Sequence, residues 1–254
     1  MDPTFYDELA PFYHLLYEDW EASVRRQAEA LDALLRASGV PAGARVLDAA
    51  CGIGTQTIGL VGRGYAVTAS DVSPGAVARL RRELAARGLA GRVCAGLGDL
   101  RTLAHVPDGA YAAVLACDNA VPHLLTDAEI LSAFRACRRC LRPGGVAVFS
   151  VRDYAAIERR TPDVRPYGLH RTAEGRFLAV QVWEWEGDQY DLRVYLTADR
   201  GVEGCRTTVI RTRYYAVPIA RLLALLDEAG FVDVVRRDDV LFQPVLLGRC
   251  PGAT

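Results

Sequence analysis

The feature that most limits what this chain can fold into is residues 46–57, Val-Leu-Asp-Ala-Ala-Cys-Gly-Ile-Gly-Thr-Gln-Thr. A short apolar run ends on two closely spaced glycines, and Ile53, Ile58, Leu60 and Val61 continue at helical spacing. The pattern predicts a strand, a tight turn and a helix start. Gly52 and Gly54 have no Cβ, so a ligand can approach the backbone, and the free N–H groups of a helix start suit an electron-rich one. A second apolar run, residues 66–70, ends at Asp71. A carboxylate so placed reaches the ribose of an adenosine ligand in a doubly wound sheet. A dinucleotide fingerprint adds a third glycine for close helix packing, and this chain has Thr57 there. Gly52, Gly54 and Asp71 therefore fit an adenosine ligand, with a nicotinamide dinucleotide the poorer match.

Strand and helix patterns alternate on both sides of this stretch. Val24, Ala28, Leu31, Leu34 and Leu35 mark one face of a helix over residues 20–37. Ser73-Pro74 starts a helix with Val77, Leu80 and Leu84 inward, and Thr126 with Glu129 forms a capping box for another. Further strands are predicted at residues 92–95, 111–117, 146–151, 231–235 and 240–247. Strands joined by helices imply right-handed crossovers and a mostly parallel sheet.

Two segments break the pattern. Residues 5–17 are dense in aromatics, and Pro11 divides them into two short helical pieces. Phe5, Leu9, Phe12 and Leu16 form one face, expected to cover the main domain; Tyr6, Tyr13 and Tyr17 lie off it as a lid. Residues 155–216 alternate with period two over three runs, which predicts an antiparallel sheet of about three strands. Trp183, Trp185, Tyr190 and Tyr195 in it either line a pocket or pack the sheet. The expected organisation is an N-terminal helical lid (1–40), an α/β core (41–154 and 217–250) and the insertion (155–216).

Composition sets the remaining bounds. Of 254 residues 51% are hydrophobic, enough for a real core. The net charge is −1 and all 30 basic residues are arginines spread along the chain, so no nucleic-acid partner is expected. Seven cysteines show no doubled C-x-x-C of zinc spacing, and Cys51, Cys94 and Cys117 read as buried free thiols. No metal is expected. With no apolar stretch of spanning length and no leader pattern, a cytoplasmic protein without a membrane partner is expected.

Five motifs in order carry a family resemblance: residues 46–54, Asp71-Val72, Gly98-Asp99-Leu100, Cys117-Asp118-Asn119 and residues 141–145. On these the chain resembles the class I S-adenosylmethionine (SAM) methyltransferases. The resemblance implies a Rossmann-like seven-stranded sheet whose last strand is antiparallel, and SAM as cofactor. It implies a cofactor cleft of Asp48, Ala50, Gly52, Asp71, Val72, Asp99, Leu100 and Cys117, with Asp71 on the ribose and Asp99 on the adenine amino group. Residues 117–124 are similar to the corresponding segment of the glycine and sarcosine N-methyltransferases. That likeness puts Asn119 and His123 in the active site, adds Tyr13 and Arg25 to the cofactor lid, and implies Tyr17 and Tyr215 across the reacting methyl. Where that family has glycine this chain has Asp118, either a carboxylate for an acceptor ammonium or a cap for the loop. His123 likewise reads as functional or as packed on Leu124 and Leu125. The expected activity is methyl transfer to a small molecule at an amine nitrogen, with oxygen or carbon as alternatives; the oligomeric state stays open.

Overall fold

The computed structural model describes residues 3–172 and 175–252; residues 1, 2, 173 and 174 of the expected lid and insertion lie outside them. The chain opens with α1 (Thr4–Leu9), a 3-10 turn at Tyr13–Leu16 and α2 (Trp20–Ala37). The alternating region follows as β1 (Arg45–Asp48), α3 (Thr55–Gly62), β2 (Ala66–Asp71), α4 (Pro74–Ala86), β3 (Cys94–Leu97), β4 (Tyr111–Ala116), α5 (Asp127–Cys140) and β5 (Leu141–Ser150). The insertion contributes β6 (Asp163–Thr172), β7 (Gly175–Glu186), β8 (Gln189–Asp199) and β9 (Cys205–Tyr215). After it come α6 (Ile219–Glu228), β10 (Val232–Arg237) and β11 (Val245–Arg249).

The main sheet has the order β10-β11-β5-β4-β1-β2-β3, with β11 antiparallel to both of its neighbours and the other pairs parallel. Helices cover both faces. Ile130, Phe134, Leu222 and Leu226 of α5 and α6 fill one side, and Leu31, Leu35, Leu60 and Val61 of α2 and α3 fill the other. All eight are essentially fully buried; each such side chain contributes about 2 kcal/mol of transfer free energy. Ser73 caps α4 by accepting from the Ala76 N–H, and Thr126 caps α5 by accepting from that of Glu129.

The inserted sheet has four strands, β6-β7-β8-β9, one more than its sequence predicts. The additional strand, β6, contains Pro166 and a register shift before Gly168, which spoil its period-two pattern. Phe5 and Leu9 pack against Trp183, Tyr190, Leu192 and Ile210 of this sheet rather than on the main one. The reason is that helices already occupy the faces of the main sheet, whereas the inserted sheet had an apolar face uncovered. Trp183 and Tyr190 are core residues of that contact, with rings stacked 4.5 Å apart.

One strand boundary and one cysteine also differ from expectation. Residues 240–243 form a loop, because only Val245–Arg249 finds partners on both sides; their apolar character serves a cavity wall instead. Cys94 sits exposed on the edge strand β3, while Cys51 and Cys117 are buried as expected. The single C-x-x-C, Cys137 and Cys140 on α5, is a pair of buried free thiols. Among the described residues no helix is long and apolar enough to cross a membrane, and no cluster of three or more metal-type ligands occurs.

Candidate active site

The carboxyl ends of β1, β2 and β4 open into a narrow cleft. Ala50 and Gly52 after β1, Asp71 and Val72 at β2, and Cys117 and Asp118 after β4 line it; Leu100, Tyr13 and His123 complete the wall. This is the edge at which open α/β sheets bind ligands. Gly52 has φ +50° and donates its N–H to Asp71 Oδ2 at 2.8 Å. Gly54 has φ +102°, but a Cβ there would lie 2.3 Å from Leu80 Cδ1. That glycine serves helix packing, not ligand approach.

The cleft is strongly acidic. Asp48 is fully buried beneath it; Thr57 donates to its Oδ2 at 2.6 Å, and Oδ1 has no partner. Thr57 thus has its own task where a dinucleotide site has glycine. Burial, reinforced by Asp71 and Asp118, pushes the Asp48 carboxyl up to about 7. Burial likewise raises Asp71 and Asp118. No ion pair to any of the three occurs among the described residues.

Asp118 and Asn119 leave β4 in the left-handed region, φ +55° and +67°. Such a backbone explains why the resembled family has glycine at the first position; an aspartate there carries strain of about 1 kcal/mol or more. The turn places the Asp118 carboxylate between the cleft and a second, larger cavity. Tyr17 donates to Oδ2 at 2.9 Å and Gln56 at 3.0 Å, while Oδ1 is buried without a partner.

The second cavity, about 480 Å³, shares Tyr6, Tyr13 and Asp118 with the cleft. Its other walls come from the N-terminal segment, the inner face of the inserted sheet and the 240–243 loop. Arg152 lies on it, with its guanidinium 5.1 Å from the Trp183 ring centroid and 5.8 Å from that of Tyr214.

Four sequence-predicted site residues have other positions. Asn119 lines neither cavity: its Nδ2 donates to the Tyr154 hydroxyl at 2.9 Å and its Oδ1 accepts from the Arg152 N–H at 2.9 Å. Both ends of the amide are spent on holding the loop. Asp99 turns toward Arg101, which grips it at 2.6–3.1 Å and holds its carboxyl below the usual range. Arg25 is exposed on α2, and its neighbour Arg26 lines the larger cavity. Tyr215 points to the face opposite Tyr214 and donates to Asp127 Oδ1 at 3.1 Å.

His123 lies at the cleft in an unexpected state. Its Nε2 is 2.7 Å from the Tyr6 hydroxyl, its Nδ1 is 3.5 Å from Thr212 Oγ1, and the Tyr214 ring packs at 4.0 Å. Burial, assisted by Arg152, lowers it to about 3. The neutral ring therefore anchors Tyr6. Sequence reasoning missed Gln56, Gln181, Gln243 and the 240–243 loop, and of the pair Tyr214-Tyr215 it took Tyr215 as the site residue. For Tyr214 a signal existed, since period two puts it on the inward face with Ile210.

Residues 46–145 match the family model described as a methyltransferase domain, and the seven-stranded sheet with its antiparallel last strand has the class I methyltransferase fold. Among curated proteins, YqeM of Bacillus subtilis (strain 168), a methyltransferase by name, is 26% identical over 160 residues, 63% of this chain and 58% of YqeM. The chain thus spans somewhat more than half the length of that relative. Among solved structures, the CcbJ methyltransferase from Streptomyces caelestis is 20% identical and superposes over 99% of this chain and 100% of its own, with a TM-score of 0.80. SAM-bound CalS10, an amino pentose methyltransferase from Micromonospora echinaspora, is 21% identical over 94% of each chain, with a TM-score of 0.77. These likenesses extend to the inserted sheet, and they are likenesses of fold.

Proposed function

We propose that the protein is a SAM-dependent methyltransferase acting on the amine nitrogen of a small molecule. The observation that carries the reading is the Asp118 carboxylate, set between the two cavities with one oxygen held by Tyr17 and Gln56 and the other buried without a partner. An amine acceptor arrives as ammonium and must lose a proton before its lone pair can attack. The Asp118 carboxylate is the acceptor for that proton, and burial has raised its proton affinity. Tyr17 and Gln56 hold the carboxylate in place.

The cleft fits the donor. Asp48, Asp71 and Asp118 favour a ligand carrying positive charge, as a sulfonium and an amino-acid ammonium do, and oppose the pyrophosphate of a nicotinamide dinucleotide. When bound, SAM supplies an activated methyl group on a sulfonium. Asp71 would hold the ribose hydroxyls, with Ala50, Gly52, Val72 and Leu100 around the adenosine. CalS10, a methyltransferase of an amino pentose, supports an acceptor that carries an amine.

The test is incubation with SAM and a panel of primary amines, read by mass spectrometry for methyl gain. The expected result is methylated amine from the wild type and a loss of about a hundredfold or more in Asp118→Asn, with SAM affinity by calorimetry changed far less. If Asp118→Asn keeps its turnover, the carboxylate is a loop cap.

A further inference from the structure

Two buried side chains on the wall of the larger cavity are used by nothing described so far. Gln181 on β7 is 3% exposed and Gln243 in the 240–243 loop is 6% exposed; both line the chamber. The orientation of the Gln181 amide follows from its one protein partner. Gln181 Oε1 lies 2.9 Å from Trp183 Nε1. An indole N–H can only donate, so the carbonyl must face it and the N–H2 group must face away. Ser150 Oγ accepts the Asp118 N–H at 2.7 Å and donates to Gln243 Oε1 at 3.4 Å. The Gln243 N–H2 group is again the free end. Among the described residues neither N–H2 group has a protein partner, and neither belongs to the sealed polar atoms. Both belong to residues that line the chamber.

Buried donors without acceptors are costly, and a site arranged around them rejects ligands that leave them unmatched. Their chemistry also specifies the match. They are neutral donors on fixed mounts, Gln181 in the middle of a sheet and Gln243 tied through Ser150 to the backbone of Asp118. An apolar amine would leave both unpaired. We infer that Gln181 and Gln243 form an oxygen-reading subsite of the acceptor chamber, so that the molecule methylated is a hydroxylated amine whose oxygens receive the two N–H2 groups while its nitrogen faces Asp118. The inference rests on the reading of the site as an amine methyltransferase and adds the class of amine.

The experiment compares three kinds of acceptor at matched nitrogen basicity: aminodeoxy sugars as methyl glycosides, cyclohexylamine, and an aminocyclohexane carboxylate. The expected result is a kcat/KM at least tenfold higher for the glycosides than for cyclohexylamine. In Gln181→Met and Gln243→Met, kcat/KM for the glycosides should fall at least tenfold more than that for cyclohexylamine, mostly through KM. Gln181→Glu, which keeps the bond from Trp183 but replaces the donor by an acceptor, should fall further still. The inference is overturned if the carboxylate is the best substrate, which would assign recognition to Arg152. It is equally overturned if all amines are methylated alike, or if the variants lose ground on every acceptor in parallel. Failure of every amine to accept a methyl group while SAM binds would instead sink the underlying reading. Near-ultraviolet circular dichroism on each variant separates a lost subsite from a lost fold, and Gln243→Met, outside the sheet, stands if a β7 variant does not fold.

Discussion

The cleft and the chamber share Tyr6, Tyr13 and Asp118 but are made in opposite ways. The cleft is built from backbone turns at the ends of three adjacent strands, and its charges are carboxylates without cationic partners. The chamber takes its walls from α1, the inserted sheet and a loop near the end of the chain, and it presents N–H donors from Arg152, Gln181 and Gln243. One half thus favours a cation of constant shape, and the other favours oxygen atoms in an arrangement particular to one acceptor. A fold that keeps the first half and rebuilds the second can change substrate without changing donor.

Removing residues 1–18 should break this comparison most severely. Tyr6, Tyr13 and Tyr17 leave with them, so methyl transfer is expected to fall by at least about a hundredfold through lost positioning. Because Phe5 and Leu9 pack on the inserted sheet, β7, β8 and β9 should lose amide-exchange protection while β1, β4 and β5 keep theirs. Near-normal turnover would show that the segment is not a lid. Lost protection throughout the main sheet would show that the two halves are not separate structures.

A smaller effect, of about tenfold, is expected from Asp48→Asn, which probes the cleft alone. The native carboxyl titrates at about 7 against an ordinary 3.8, so the folded protein holds a proton that the unfolded chain releases between those values. Folding stability from this group is therefore greatest at the acid end of that window and falls as pH rises toward 7. Asparagine keeps a carbonyl for Thr57 and removes the charge, so the apo variant should melt higher than wild type at pH 8. A bound cation acts in the opposite direction and lowers the carboxyl. SAM binding to wild type should tighten from pH 6 to pH 8 with proton release, and the variant should lose both the pH dependence and about tenfold in affinity. Calorimetry in two buffers of different ionisation enthalpy measures this. An unchanged affinity would remove Asp48 from the cofactor's field.

The same division governs what the sequence discloses. Asp48, Ala50, Gly52, Asp71, Val72, Leu100 and Cys117 were legible because each lies within a few residues of a strand end, and local pattern finds strand ends. Asp99 was legible as a position but not as a state, since Arg101 two residues on takes its carboxylate. The chamber was largely illegible. Gln181 and Gln243 are ordinary residues in an alternating strand and an apolar loop, and only the approach of segments 62 positions apart gives them a common cavity. Asn119 shows the converse error: a motif match marked the residue, while its amide had a structural use in fastening the loop to Tyr154.

The finest test of the comparison separates two adjacent side chains. By resemblance Tyr215 belongs across from Tyr17, yet successive residues of a strand face opposite ways. Tyr214 is inward with its ring 4.0 Å from that of His123 and lines the chamber, whereas Tyr215 reaches Asp127 at the start of α5. Tyr215→Phe removes one partly exposed hydrogen bond, worth about 0.5–1 kcal/mol, and should lower the melting temperature slightly with turnover within twofold of wild type. Tyr214→Leu removes the ring that supports His123, and through it Tyr6, so it should reduce kcat several-fold while leaving SAM affinity nearly intact. If the larger kinetic loss falls on Tyr215, strand β9 presents the other face to the chamber. The Tyr6–His123–Tyr214 contact would then be a packing detail rather than a wall of the active site.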